Sequence, residues 1–491
     1  MSYHKQELSK ANIYINSKSN LNDDPYRPIY HFTPQLGWAN DPNGFVYYQN
    51  RYHLFYQYHP YSAQWGPMHW GHASSADLIK WNHHDVALAP SEDYDKDGCF
   101  SGSAIEVEND LYLIYTGHRW TGKNHDIDLK QVQCLAKSSD GLTFEKCTEN
   151  PVINEPNLAG VHPHHFRDPK IWKHEGVYYC VIGSRDDKNS GQVLIFNSKD
   201  LKDWSEGCVL AKGQVEDGYM WECPDFFELG EKHVLIYSPQ GVKAEEKKFL
   251  NLHQSGYLIG DFDYENQLFN HNNFKLLDYG FDFYAPQTLI DNKGRRILVA
   301  WMAMWESDMP EQEQGWSGAF TLPRELTLES GELKIRPIDE LNVYRKEAVK
   351  IKDMTLNERG LKIPGVCGTS VELKLKLNLQ KAEAFHMHMR QSKEMNEQTT
   401  LSINPFEGEL ILDRTLSGEG PGGKRYYHND ALKEKVELRI FIDQSSIEVF
   451  VNDGLACMTA RIYPNQSSNQ IIFDGLGDVV IEELQKWTLE I

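Results

Sequence analysis

The feature that most constrains this chain is a strand that it repeats. Asn50-Arg-Tyr-His-Leu-Phe-Tyr56, Asn109-Asp-Leu-Tyr-Leu-Ile-Tyr115, Glu175-Gly-Val-Tyr-Tyr-Cys-Val181, Gly230-Glu-Lys-His-Val-Leu-Ile-Tyr237 and Gly294-Arg-Arg-Ile-Leu-Val-Ala300 each read as a turn followed by an apolar run. They recur about every 55–65 residues, as a radial repeat with long loops does. A second echo follows three of them: Asp77-Leu-Ile-Lys-Trp81, Asp140-Gly-Leu-Thr-Phe144 and Asp200-Leu-Lys-Asp-Trp204. Helical stripes are few, and short runs bounded by Gly, Asn and Asp dominate. Five such units imply a five-bladed β-propeller, each blade a small antiparallel sheet.

The texture changes after about Arg336. Residues 337–350 read as a short helical connector. Beyond it lie alternating runs at Ser370–Leu379, Thr399–Ile403, Leu410–Asp413, Lys435–Ile442, Ser446–Val451, Met458–Ile462 and Ile471–Phe473. Lys435-Val-Glu-Leu-Arg-Ile-Phe-Ile-Asp443 has one apolar and one polar face, as a half-buried antiparallel strand requires. The expected class is all-β. An N-terminal extension (1–28) precedes the propeller (29–336), which a linker (337–350) joins to a β-sandwich (351–491).

The repeat also groups residues that lie far apart in sequence. Counting back from the final Tyr of a unit lands on Asp41, on Phe100 beside Ser101, and on Glu222; Asp168 sits slightly closer to its own strand, as a shorter hairpin allows. Superposable blades would open their innermost strands at these positions, so three carboxylates converge on one axial pocket. Each local string is ambiguous alone. Asp41-Pro-Asn-Gly44 makes a turn, Arg167-Asp-Pro169 an ion pair, and Trp221-Glu-Cys-Pro224 an acid among apolar residues. Structural ion pairs have no reason to share a blade position.

Composition narrows the partners. With 50 Lys and Arg against 71 Asp and Glu, the net charge of −21 argues against nucleic acid and anionic membrane surfaces. The longest apolar runs, such as Ile297–Ala303, fall far short of the roughly 20 residues of a membrane span. Residues Met1–Ser17 carry Lys and Glu and no apolar segment, so no export signal is expected. Eight scattered cysteines without a Cys-x-x-Cys pair read as reduced thiols of a cytoplasmic protein, not a zinc site. The 12 Trp and 25 Tyr suit sugar rings as well as β-sheet cores. No metal or cofactor is expected; the run His162-Pro-His-His165 reads as the lining of a pocket mouth.

Trp38-Ala-Asn-Asp-Pro-Asn-Gly44, Arg167-Asp-Pro169 and Glu222-Cys-Pro224, in that order, resemble the β-fructofuranosidases (invertases) of glycoside hydrolase family 32. Supporting strings are Gln57-Tyr-His-Pro60, Trp65-Gly66, Phe100-Ser-Gly-Ser103, Phe281-Asp-Phe-Tyr-Ala-Pro-Gln287, Gly315-Trp-Ser-Gly318, Leu322-Pro-Arg324 and Asp443-Gln-Ser-Ser-Ile-Glu-Val-Phe450. The resemblance spans nearly the whole chain. It departs at Ala39, where relatives commonly carry Met or Leu, which would make that wall roomier.

The resemblance implies a retaining hydrolase of the β-D-fructofuranosyl bond. Asp41 would be the nucleophile, held ionised by donors such as Asn40. Glu222 would be the acid/base, its pKa raised by apolar neighbours and by the charges of Asp41 and Asp168. Asp168 would grip fructose hydroxyls, with Arg167 fixing its orientation. Trp38, Asn40, Gln57, Trp65, Phe100, Ser101, Cys223 and Trp305 would complete the fructose cup, Trp301 competing with Trp305 for its place. The expected substrate is a small sugar, sucrose 6-phosphate and also sucrose, acted on by a monomer or homodimer. His118, Arg119 and Lys123 are candidates for the phosphate. Fructan hydrolysis, fructosyl transfer and, more remotely, sugar binding without cleavage remain open.

Overall fold

The structure, a computed structural model, describes residues 2–18, 24–356 and 360–491. Five antiparallel sheets of four main strands stand around an axis in chain order. Blade I comprises Gly37–Tyr48, Arg51–His59, His69–Ser75 and Trp81–His83, and blade II comprises Gly98–Val107, Asp110–Trp120, Leu129–Ser138 and Glu145–Lys146. Blade III comprises Val161–His174, Val177–Asp186, Gly191–Ser198 and Cys208–Lys212. Blade IV opens on Met220–Leu229 and Lys232–Gln240, and blade V on Tyr284–Ile290 and Arg296–Trp301. The repeated run of the sequence is the second strand of every blade, buried on both faces between neighbouring sheets. The ring closes where Trp316–Ser317 pairs in parallel with Gly37–Trp38, adding a piece of the blade V loop to blade I.

The second echo is a turn. Asp77, Asp140 and Asp200 each accept backbone N–H groups from residues two and three ahead of them. Leu78, Gly141 and Leu201 take left-handed φ angles of 68°, 70° and 70° inside these turns. An Asp carboxylate in place of the next carbonyl lets the chain reverse within a few residues.

Two elements depart from the sequence reading. Residues Tyr3–Lys18, expected only as an extension, form a helix. It buries just His4, Ala11 and Ile15, too narrow a stripe to register as a helical period. Tertiary contacts hold it against blades I and II: Asn12 Oδ1 accepts from Val86 N at 2.9 Å, and Tyr14 donates to the Tyr61 carbonyl at 3.2 Å. In the connector only Asp339–Tyr344 is helical, as a 3-10 turn, and strand Arg345–Leu356 follows at once.

The C-terminal unit is a β-sandwich of ten strands, two of which serve both layers. Val371–Gln391 and Gln470–Leu489 run its full length and pair with each other through several register breaks. Val371–Gln391 alternates from Leu373 to Leu379 and again from Phe385 to Met389 but loses phase between them, and the sequence marked only its first stretch. Of Gln470–Leu489 it marked only the continuous apolar run Ile471–Phe473. A continuous apolar cluster joins Phe320, Leu322 and Leu326 of the propeller to Phe441, Phe450 and Cys457 of the sandwich. No helix among the described residues is long and apolar enough to cross a membrane.

Candidate active site

Each blade begins with the same defect. The pairing of first and second strands skips between Ala39 and Pro42, between Phe100 and Gly102, between Arg167 and Lys170, between Glu222 and Asp225, and between Tyr284 and Gln287. A β-bulge leaves residues outside the ladder and re-aims their side chains. Proline suits such a place because it has no N–H to contribute: Pro169, Pro224 and Pro286 occupy three of the five, and in blade I Pro42 is the residue at which the ladder resumes. Blade II uses Gly102 instead, where a Cβ would fall 2.0 Å from the Ile114 carbonyl oxygen. Asp168, Cys223 and Ala285 take left-handed φ of 67°, 49° and 50°. That backbone is uncommon for residues with a Cβ, and it holds here because the flanking ladder resumes at once.

The bulges converge on a cavity of about 240 Å³ at the axis. Asn40, Asp41, Gln57, Trp65, Phe100, Ser101, Arg167, Asp168, Glu222 and Trp305 all line it, as the sequence reading required. Cys223 sits where the acids meet: its thiol lies 3.5 Å from Asp41 Oδ2 and 3.6 Å from Asp168 Oδ2. Its backbone N–H donates to Asp168 Oδ2 at 3.0 Å, and Glu222 is its chain neighbour. Trp38 stands behind the wall, its ring 6.0 Å from Trp305 and its Nε1 donating to Asn40 Oδ1 at 2.8 Å. Trp305 wins over Trp301 because the strand stops at Trp301, which is fully buried beneath it.

Asp41 accepts from Ser101 Oγ at 2.6 Å and Asn40 Nδ2 at 3.0 Å. Burial nevertheless outweighs these donors and, with the charge of Glu222, moves its pKa upward. Asp168 is held well above the ordinary carboxylate range, first by burial, then by the charge of Glu222, with Asp41 adding to it. The apolar surroundings expected for Glu222 are not there. One oxygen accepts from Arg167 Nε and Nη2 at 2.9 and 2.8 Å, and the other from the Tyr284 hydroxyl at 2.6 Å. Arg167 therefore grips Glu222, while its nearest approach to Asp168 is 4.0 Å. The expectation that Arg167 orients Asp168 is corrected accordingly: the bulge turns the Arg167 side chain toward blade IV.

Ala39 also needs correction. It is fully buried in the core behind blade I, away from the cavity, because alternation sends Trp38 and Asn40 to the pocket side. Of the phosphate candidates, His118 reaches the cavity but lies stacked on Phe100 at 4.1 Å, its pKa pushed down to about 3, chiefly by burial. It is neutral near pH 7. Arg119 faces the opposite side of the strand and pairs with Asp93, and Lys123 is exposed on a loop. In the histidine run, His165 lines the cavity while His164 turns to Glu155 at 2.9 Å.

Tyr284, Gln131, Trp120 and His125 belong to the site without having been singled out. Tyr284 sits at the fifth bulge, inside the quoted string Phe281–Gln287. Trp120 shares a strand face with His118 and stacks on His125 at 3.9 Å. The alternation of Asp110–Trp120 would have found it once that strand was set beside the axis.

Below the cavity the residue two places past each bulge apex ties the blades together. Lys170 reaches Asp225 Oδ2 at 3.0 Å and the Thr288 carbonyl at 2.5 Å, and Asp225 accepts from Thr288 N at 2.7 Å. Ser103 donates to the Pro169 carbonyl at 2.8 Å, and Gln287 bridges Phe45 N and the Gly102 carbonyl at 2.8 and 2.9 Å. The three acids are thus held by a polar ring as well as by their own strands.

The description "Glycosyl hydrolases family 32 N-terminal domain" matches residues 31–337, and "Glycosyl hydrolases family 32 C terminal" matches residues 340–488. The chain is 42% identical to a raffinose invertase of Escherichia coli, over 99% of this chain and 100% of that protein. It is 41% identical to a sucrose-6-phosphate hydrolase of Escherichia coli, over 94% of this chain and 95% of the relative. Among solved structures, a β-fructofuranosidase of Bombyx mori superposes with a TM-score of 0.86 at 35% identity, covering 99% of this chain and 98% of the other.

Proposed function

The chain belongs to glycosyl hydrolase family 32, and from that premise we propose a β-fructofuranosidase that hydrolyses sucrose 6-phosphate, and also sucrose, with retention at the fructosyl carbon. One observation carries the mechanistic reading: Asp41, Asp168 and Glu222, from three different blades, line one cavity, the first two converging on the Cys223 thiol.

Asp41 attacks C2 of the fructosyl unit while Glu222 gives its proton to the glycosidic oxygen, so that the C2–O bond breaks and glucose 6-phosphate leaves. Glu222, now a carboxylate, takes a proton from water, whose oxygen attacks C2 and frees Asp41. Asp168 accepts from fructose hydroxyls, bonds that tighten as positive charge grows on the ring. Ser101 and Asn40, which hold Asp41, position its oxygens for attack. Arg167 and Tyr284, which donate to the two Glu222 oxygens, orient that carboxyl group. Trp65 and Trp305 offer aromatic faces to the sugar rings.

The cytoplasm is the compartment we assign, where sucrose imported by coupled phosphorylation would meet the enzyme; all eight cysteines are free thiols, which suits a reducing compartment. Steady-state kinetics on sucrose 6-phosphate, sucrose and inulin test the reading. We expect kcat/KM to be highest for sucrose 6-phosphate. Inulin ahead by a factor of about ten would overturn the substrate, and no fructose release from any of the three would overturn the enzyme.

A further inference from the structure

We propose that Arg185 is the residue that recognises the phosphate on the leaving glucosyl group, an assignment that rests on the sucrose 6-phosphate reading above. Arg185 lies near the end of the second strand of blade III, where Ser184 pairs with Phe166, so it emerges at the rim beside the strand that carries Arg167. Its guanidinium is poorly satisfied. Nε is buried without a partner, and Nη2 reaches only the Asp126 carbonyl and His162 Nε2, each at 3.5 Å. Among the described residues no carboxylate comes within 4.0 Å of it.

Arg296 shares that state but sits opposite Ile290, at the end of its hairpin away from the bulge, and the remaining cations near the axis are paired. Arg167 is engaged by Glu222, Lys170 by Asp225, Lys212 by Asp186 and Arg119 by Asp93. A half-buried guanidinium beside a second arginine is unfavourable without a counter-charge, and both burial and Arg167 pull its pKa down. The charge of Asp126 opposes this only from a distance. An arriving phosphate dianion supplies the missing charge, and its oxygens match the fork of guanidinium donors.

The location is on the leaving-group side. His165, which lines the cavity, meets the same Asp126 carbonyl at 2.8 Å, so one backbone oxygen joins the cavity wall to Arg185. Arg167, which holds the proposed proton donor Glu222, is close enough to perturb Arg185. In this assignment the glucosyl ring, whose linking oxygen Glu222 protonates, lies with its 6-substituent toward Arg185. His162 beside it, whose pKa burial and Arg185 depress, is a neutral ring whose Nδ1 accepts from His164 N at 3.2 Å, so its one N–H is on Nε2, where it leaves Arg185 unsatisfied and can donate to an anion. Two relatives act on sugars that differ at this place, since raffinose carries a neutral galactosyl group on the oxygen that bears phosphate in sucrose 6-phosphate.

The test uses the whole chain and the variants Arg185→Gln and Arg185→Lys, assayed on sucrose 6-phosphate, sucrose and raffinose, with glucose 6-phosphate as product inhibitor. We expect Arg185→Gln to raise KM for sucrose 6-phosphate, and Ki for glucose 6-phosphate, about tenfold or more. Its kcat and its constants for sucrose and raffinose should stay within about twofold, and Arg185→Lys should recover part of the loss. An unchanged KM for sucrose 6-phosphate, or an equal loss on all three substrates, overturns the assignment. A wild-type enzyme that handles sucrose 6-phosphate no better than sucrose overturns the substrate reading and this assignment together.

Discussion

Asp41 and Glu222 lie 181 positions apart by number yet line one cavity, and the roles proposed for them are separable by substitution. Asp41→Asn keeps the shape and the hydrogen bond of Ser101 but removes the proposed nucleophile, so kcat should fall about a thousandfold or more while the melting temperature holds. Residual turnover above a tenth would remove Asp41 from that role. The charge of Glu222 is the largest cause, after burial, of the high Asp168 pKa. In Glu222→Gln that charge is gone and Asp168 ionises at lower pH. The acid limb of fructose binding, measured as competitive Ki against pH, should therefore move toward lower pH in the variant; a shift toward higher pH would contradict the coupling. The acids were legible in the sequence because a repeat makes position a functional signal. The partner of Arg167 was not, because which way a bulged side chain leans depends on the neighbouring blade.

At the scale of elements, the bulge at the head of each blade does most to build the site. Pro42, Pro169 and Pro224 mark it in the sequence, but a proline after an acid reads equally well as a turn. The skipped pairing appears only when both strands are in place. The ring beneath it is testable. Lys170→Met leaves Asp225 buried with its main counter-charge removed, and should lower unfolding free energy by about 3–5 kcal/mol in urea titration. Replacing both partners with apolar residues should restore much of that. A single variant as stable as wild type would show that the pair is not what ties blades III, IV and V. The long strand Val371–Gln391 illustrates the limit of periodicity: the register breaks between Asn378 and Ala384 bury Ala382 out of phase with Leu379 and Phe385, so alternation lapses midway before it resumes.

At the scale of the molecule, propeller and sandwich are joined by buried charge. Asp443 and Glu448, both within the Asp443–Phe450 string, clasp His31 at 2.8 and 2.9 Å, and Arg324 binds Glu448 and Asp278 at 2.6 and 2.9 Å. The string is therefore a clamp, a role its sequence did not suggest. Burial lowers the His31 pKa, but the hydrogen bonds to both acids outweigh it and the net direction is upward. Its contribution to stability is complete below the ordinary value of 6.5 and fades as pH rises through the raised value. For Glu448, burial pushes the pKa up, while Arg324 and His31 bring it below the ordinary 4.5. Its contribution is complete above 4.5 and fades as pH falls through the lowered value. Melting temperature should peak between those limits, and His31→Gln should flatten the alkaline side. A variant that keeps the wild-type alkaline slope would exclude His31 as its source.

The chain alone determined the number of blades and the class of both units, because a repeated strand must bury both faces, and it pointed to three acids because equivalent positions in equivalent blades must meet at the axis. Only the folded structure decided which partner each charge takes. Salt bridges, bulge directions and the uncompensated Arg185 arise between blades, where residues remote in sequence come within a few ångströms, and no local pattern encodes that distance.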